Sequence, residues 1–170
     1  GLGNTGDITN IITGTTFGLG STYTGQIRLS PAAATDDFSL NVNGAHATAT
    51  STTTNFLVDT AMDNLIINTI ASGAVNMDTD DDLIDDIIIR GSNNLTIYDA
   101  SAQVAEANIT AGADFTGTFT IALTDAAAAL DFSTATADIV GLDVLDISRA
   151  GGNPAVTIGA VAGGGRLTIN

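Results

Sequence analysis

Apolar runs in this chain are short, and turn-forming residues cut between them from one end to the other. D-I-T-N-I-I starts at Asp7, G-Q-I-R-L-S at Gly25, D-F-S-L-N-V at Asp37 and N-F-L-V-D at Asn55. N-L-I-I-N follows at Asn64, D-I-I-I-R at Asp86, N-L-T-I-Y at Asn94, A-N-I-T-A at Ala107 and F-T-G-T-F-T-I-A-L at Phe115. A-L-D-F-S at Ala129, L-D-V-L-D-I-S at Leu142, A-V-T-I-G at Ala155 and R-L-T-I-N at Arg166 complete the series. Each has strand length, is rich in Ile, Val, Phe and Thr, and is bounded by Gly, Asn, Asp or Thr. The longest apolar run, Ala126 to Leu130, is mostly alanine and far too short to span a bilayer. Helix has two places only: A-A-A-T-D-D from Ala32, and T-D-A-A-A-A-L from Thr124, the latter as a single turn. The fold class is all-β.

Loose repeats choose between all-β architectures. N-L-T-I-Y at Asn94, A-V-T-I-G at Ala155 and R-L-T-I-N at Arg166 share one template, and N-L-I-I-N at Asn64 is a close variant. L-D-F-S at Leu130 is echoed by L-D-I-S at Leu145, and V-T-I at Val156 by L-T-I at Leu167. Such echoes suit a parallel β-helix with irregular rungs. A β-sandwich also gives short strands at close spacing. Hairpin signals are scarce, with a single Asn-Gly in N-V-N-G-A-H from Asn41. The polar positions are small and uniform, as stacked rungs prefer. The expectation is a β-solenoid over residues 60–170, open-ended and part of a longer chain. Residues 1–59 form a β region, solenoid or, as the alternative, β-sandwich. The stretch D-I-V-G-L-D-V-L-D-I-S, Asp138 to Ser148, reads as one turn of the coil. The adjacency of Val144 and Leu145 calls for a bend or a second apolar face.

The charge balance narrows the partners. Four Lys+Arg stand against 19 Asp+Glu, for a net charge of -15, and all four cations are Arg. Arg28, Arg90, Arg149 and Arg166 are scattered and cannot build the basic patch that nucleic acid requires. An anionic membrane surface is disfavoured for the same reason, and no membrane insertion is expected. At 14% charged and 44% hydrophobic residues, the chain is too apolar for a disordered acidic tail. Cysteine is absent, so neither disulfides nor a thiolate metal site can staple the fold. Aspartate oxygens are hard ligands that suit Ca²⁺. The N-terminal G-L-G-N-T-G lacks Met, a basic region and an apolar core, so it does not read as a signal peptide.

Within Asp138–Ser148, Ile139, Gly141, Leu142, Asp143, Leu145 and Ile147 form a phrase that resembles one found in bacterial surface-layer and RTX-type secreted proteins, where it opens a solenoid rung. The lysine-free, cysteine-free, Ala/Thr/Gly/Asp/Asn-rich composition is similar as well. The resemblance implies a calcium-dependent, lattice-forming protein exported without a cleaved N-terminal signal. It covers about eleven residues by motif. The RTX nonapeptide is missing: G-G-G-R-L-T-I-N at Gly163 has the glycines and no Asp.

M-D-T-D-D-D-L-I-D-D-I, Met77 to Ile87, is the strongest chemical cluster. Carboxylates packed this densely repel one another unless a cation sits among them. Asp78, Asp80 and Asp82 imitate the opening of an EF-hand loop, but Leu83 stands where that loop needs Gly and Ile89 where it needs an acid. The expectation is a loop-type Ca²⁺ site formed by Asp78, Asp80, Asp82, Asp85 and Asp86, set against a solvated acidic loop that also includes Asp81. Asp36 and Asp37 read as turn caps. Asp143 and Asp146 read as strand residues facing water, Arg149 or a cation. His46, the single histidine, has no G-x-S-x-G nucleophile to serve and reads as an exposed or hydrogen-bonded strand residue. A glycosidase or lyase would need sugar-stacking aromatics, for which only Tyr23 and Tyr98 are offered. T-x-T rows of the kind that bind ice lack a regular spacing here, and the sequons at Asn94 and Asn108 are possible glycosylation points.

The sequence therefore predicts no enzyme. It predicts an extracellular, cell-surface scaffold subunit, a surface-layer or filament piece held by Ca²⁺ and by contacts with copies of itself, with cell-surface polysaccharide as a further partner. The alternative is the stalk or ligand-binding region of a secreted RTX-like adhesin.

Overall fold

The computed structural model describes residues 5–20, 23, 25–48, 55–58, 61–77, 83–104, 108–125, 129–131, 138–148, 155–157 and 168–170. In chain order they form β1 (Thr5–Ile11), β2 (Thr15–Gly18), β3 (Gln26–Pro31), β4 (Phe38–Val42), β5 (Phe56–Val58), β6 (Met62–Thr69), β7 (Gly73–Asn76), β8 (Ile84–Gly91) and β9 (Leu95–Asp99). A single-turn helix α1 (Ser101–Val104) precedes β10 (Asn108–Phe115), β11 (Phe119–Leu123), β12 (Ala129–Asp131), β13 (Asp138–Val140), β14 (Val144–Asp146), β15 (Ala155–Thr157) and β16 (Thr168–Ile169).

Every strand pairing among them is parallel. One sheet runs β1-β3-β5, a second β2-β4-β6-β8-β10-β13, a third β7-β9-β11-β14-β16, and β12 pairs with β15. The chain visits these sheets in turn and returns one strand further along, which is a parallel β-solenoid of about 5 turns. The described part of residues 1–59 belongs to the solenoid and not to the alternative β-sandwich. Its strands β1 to β5 pair in parallel, and β4 pairs directly with β6 in the second sheet. A-A-A-T-D-D from Ala32 is a turn, closed by the Asp36 amide donating to the Ala33 carbonyl at 3.1 Å, so the helix expected there does not form. Within Thr124–Leu130, the described ends are a bend and the start of β12, and 126–128 lie outside the described residues. The helix that does form, α1, contributes Val104 to the core.

Inward side chains stack turn on turn. Phe38, Leu65, Ile87 and Ile109 make one buried column of the second sheet, and Leu40, Ile67, Ile89 and Ala111 the next. Leu95 and Phe119 lie in register in the third sheet, beside the column Val75, Ile97, Ile121 and Leu145. Strand alternation sends every second residue outward, as in the buried–half-buried alternation of β4 and β9. The triple isoleucine of β8 obeys it: Ile87 and Ile89 are buried and Ile88 is half-exposed.

The corners carry the polar atoms that the strands cannot satisfy. Thr69, buried at the end of β6, donates its hydroxyl to the Arg90 carbonyl (3.1 Å) and accepts from the Asn93 amide (3.2 Å). The Asn93 side-chain amide donates back to the Thr69 carbonyl at 2.9 Å. One turn further on, the Thr118 amide donates to Asn94 Oδ1 at 3.0 Å, and the Phe119 amide to Asp143 Oδ2 at 2.9 Å. The same corner bends at Gly91 (φ 108°) and Gly141 (φ 79°), left-handed conformations that favour glycine. A second polar corner holds Asn55, which is buried, donates to the Gly25 carbonyl at 3.1 Å and accepts from the Asn76 amide at 2.8 Å. The stretch Asp138–Ser148 is thus two short strands on two sheets, bent at Gly141. Leu142 and Leu145 enter the core and Val144 faces outward, which resolves the adjacency of Val144 and Leu145.

Candidate functional site

Of the predicted calcium ligands, Asp85 and Asp86 stand on β8, while Asp78, Asp80 and Asp82, with Asp81, lie outside the described residues. Asp85 is exposed and Asp86 half-buried. The solenoid supplies these two with neighbours that spacing along the chain does not reveal. Asn64 pairs in register with Asp86, and its side-chain amide donates to Asp37 Oδ1 at 2.7 Å. Asn108 stands one residue before the Ile109–Ile87 pair and so follows Asp86 in the column, and it pairs in turn with Asp138. The register therefore reads Asp37, Asn64, Asp86, Asn108, alternating carboxylate and amide, and Asp138 follows as the backbone partner of Asn108. Parallel strands repeat at about 4.8 Å, so a column of carboxylates alone would place like charges directly over one another.

The neighbouring column lacks that alternation. The Asp63 amide donates to the Asp36 carbonyl at 3.2 Å, and the flanking pairs Met62–Ile84 and Asn64–Asp86 put Asp85 over Asp63. Three successive turns thus present Asp36, Asp63 and Asp85 at one corner, with Asp63 and Asp85 exposed. Asp36 is already committed: its Oδ1 accepts from the Thr13 amide (3.1 Å) and hydroxyl (3.2 Å), and its Oδ2 from the Ala33 amide (2.9 Å). That is the turn-capping role expected of it. Among the described residues, no three His, Cys, Asp or Glu side chains come together in a group that could hold a metal ion.

The amide rung of the ladder is testable. Asn64→Asp would stack three carboxylates and remove the bond to Asp37. We expect a loss of about 1–2 kcal/mol at neutral pH and low salt. The gap to the parent should narrow in about 1 M salt and below roughly pH 3, where carboxylates are protonated. Urea denaturation across that grid checks it, and a salt-independent loss would exclude charge repulsion as the cause.

The other singled-out residues serve the fold. His46 is buried rather than exposed, 1% accessible, with Nδ1 at 2.8 Å from the Tyr23 carbonyl and its backbone amide donating to the Ala74 carbonyl at 2.7 Å. Because a carbonyl only accepts, Nδ1 carries the proton in that bond. Tyr23 donates its hydroxyl to the Gln26 carbonyl at 2.8 Å, and burial pushes its phenol above the ordinary value. Asp143 caps β11 through the Phe119 amide, and Asp146 Oδ1 accepts from the Ser148 amide at 2.9 Å. Both sequon asparagines are engaged: Asn94 with Thr118, and Asn108 donating to the Asp85 carbonyl at 2.7 Å. No described helix is long and apolar enough to cross a membrane.

A concavity of about 400 Å³ lies at the corner between the second and third sheets, lined by Ala111, Gly112, Ala113, Phe115, Gly117, Val140, Gly141 and Asp143. Sequence reading gave no sign of it, because it arises from a bulge. Ala111 pairs with Ile89 and Phe115 with Gly91, so Gly112, Ala113 and Asp114 stand opposite Arg90 alone. No protein-family model, curated protein or solved structure matches the chain.

Proposed function

We propose that this chain is a structural segment of an extracellular, cell-surface scaffold, a surface-layer or filament piece that associates with copies of itself and is stabilised by Ca²⁺. The calcium reading rests on the density of acids from Asp78 to Asp86 in the sequence, whose Asp85 continues the column of Asp36 and Asp63. That column repeats one acid per turn without an intervening amide, at the start of the strand that follows the Asp78–Asp82 run. A divalent cation relieves such repulsion, and carboxylate oxygens are the ligands it takes. The scaffold reading is supported by a solenoid fold whose stacked turns present regular outer faces.

Removing calcium tests both halves. With excess EGTA, the melting temperature should fall by roughly 5–10 °C for a site held about a hundredfold above its Kd, and electron microscopy should show ordered assemblies disappear. Asp63→Asn with Asp85→Asn should reproduce the shift without chelator. Unchanged melting would sink the calcium half. Ordered assemblies surviving in both samples would leave a calcium-independent lattice or filament. Their absence from both would put the adhesin stalk first.

A further inference from the structure

The bulge concavity has apolar walls and one charged side chain. Ala111, Ala113, Val140 and the Phe115 ring give it apolar walls, and Gly112, Gly117 and Gly141 keep it open. None of these side chains offers a hydrogen-bond donor. The one polar side chain lining it is Asp143, whose Oδ2 accepts from the Phe119 amide. An ionised carboxylate has further lone pairs on its other oxygen and can only accept.

That chemistry excludes most ligand classes. An anion would meet the Asp143 charge, on a chain of net charge -15. Ca²⁺ takes six to eight oxygens, whereas the lining side chains supply a single carboxylate. A sugar would leave most of its hydroxyls against Ala, Val and Gly. What remains is a cation carried on a short apolar body. Its charge would meet Asp143, its methylenes would cover the alanine and valine walls, and the Phe115 ring would face the cation. The volume falls in the range of small-ligand pockets.

The geometry points to this concavity as a binding site for an alkylammonium group, either a free amine or the lysine side chain of a partner polypeptide. These 170 residues carry no lysine, so they do not supply the group themselves. The site stands independently of the scaffold reading, since its residues are not those of the Asp36–Asp63–Asp85 column.

The experiment is a ¹H–¹⁵N NMR titration of the whole chain with n-butylammonium, n-butanol and butyrate. The expected result is saturable shifts of the Gly112, Gly117 and Gly141 amides with butylammonium, at an apparent Kd of about 1–10 mM. Butanol should bind at least about tenfold more weakly, because it lacks the charge-assisted bond, and butyrate should not bind. Asp143→Asn keeps an oxygen to accept the Phe119 amide and should lose about tenfold or more in affinity. Ala113→Leu, at an exposed position on the rim, should block the site while leaving the fold intact. A peptide with one lysine binding more tightly than butylammonium would identify a polypeptide as the source, and equal binding a free amine. Absence of saturable shifts, equal affinity for butanol, or undiminished binding in Ala113→Leu would overturn the assignment.

Discussion

Gly141→Ala should cost about 3 kcal/mol or more and lower the melting temperature by roughly 6–12 °C. Two independent penalties meet at this position. Its φ of 79° is a conformation that any residue with a Cβ adopts only at a cost, and an added Cβ would collide with the Ala111 carbonyl oxygen one turn below. That oxygen belongs to the backbone of β10, paired with β8 on one side and β13 on the other, so relief means moving a strand. Gly112→Ala is the control. It lines the same concavity, its φ lies outside the left-handed range, and its Cβ would meet only Thr110 Cγ2 at 3.7 Å. It should stay within about 0.5 kcal/mol of the parent, or gain slightly from a less flexible unfolded chain. Thermal and urea unfolding of the two variants side by side check this. Equal effects would mean that the Gly141 corner is not the tight point described.

Phe119→Ala is the second large effect, expected at about 3–5 kcal/mol. Phe119 is fully buried, stacks on Leu95 in the turn below, and receives the turn above through the bond from its amide to Asp143. The distribution of the loss matters as much as its size. Each turn of a solenoid touches only its neighbours, so its stability is a sum of local terms. Native-state hydrogen exchange should therefore quicken in β9, β11 and β14 and stay near the parent rate in β1 to β4. A uniform acceleration would show that the described turns unfold as one cooperative unit.

How much of this was legible in the sequence follows from what a strand records about itself. Ile/Val/Thr segments between turn formers declared strands, and the scarcity of hairpin signals declared parallel pairing. Both depend on residues a few positions apart. Register does not. The echo of L-D-F-S by L-D-I-S is no rung: Leu130 pairs with Val156, while Leu145 stacks on Ile121 and under Ile169. The T-I template was a truer guide within one sheet, where Thr96, Thr120 and Thr168 occupy one outward column, interrupted by Val144. It misled for Asn64 and Ala155, whose strands belong to different sheets. The density of Asp78–Asp86 was visible at once, but Asp36 and Asp63 come to Asp85 only because the coil returns. For His46 the hydrogen-bonded alternative holds and the exposed one does not, and nothing local announces that the Tyr23 carbonyl will be its partner. The concavity left no trace, since a bulge of Gly112, Ala113 and Asp114 looks like ordinary strand until its partner is known.

The return of the chain one strand further on has a mechanical meaning. The pairs Leu65–Ile87 and Ile87–Ile109 mark circuits of 22 residues, and Phe38–Leu65 and Ile109–Ile139 circuits of 27 and 30, yet each advances the stack by only about 4.8 Å. Pulled from its ends along the stack, the coil would yield a circuit at a time, each releasing roughly 70–100 Å of extended chain. A filament or layer built from such segments would stretch in steps under load, while the circuits not yet peeled kept their own stacked columns.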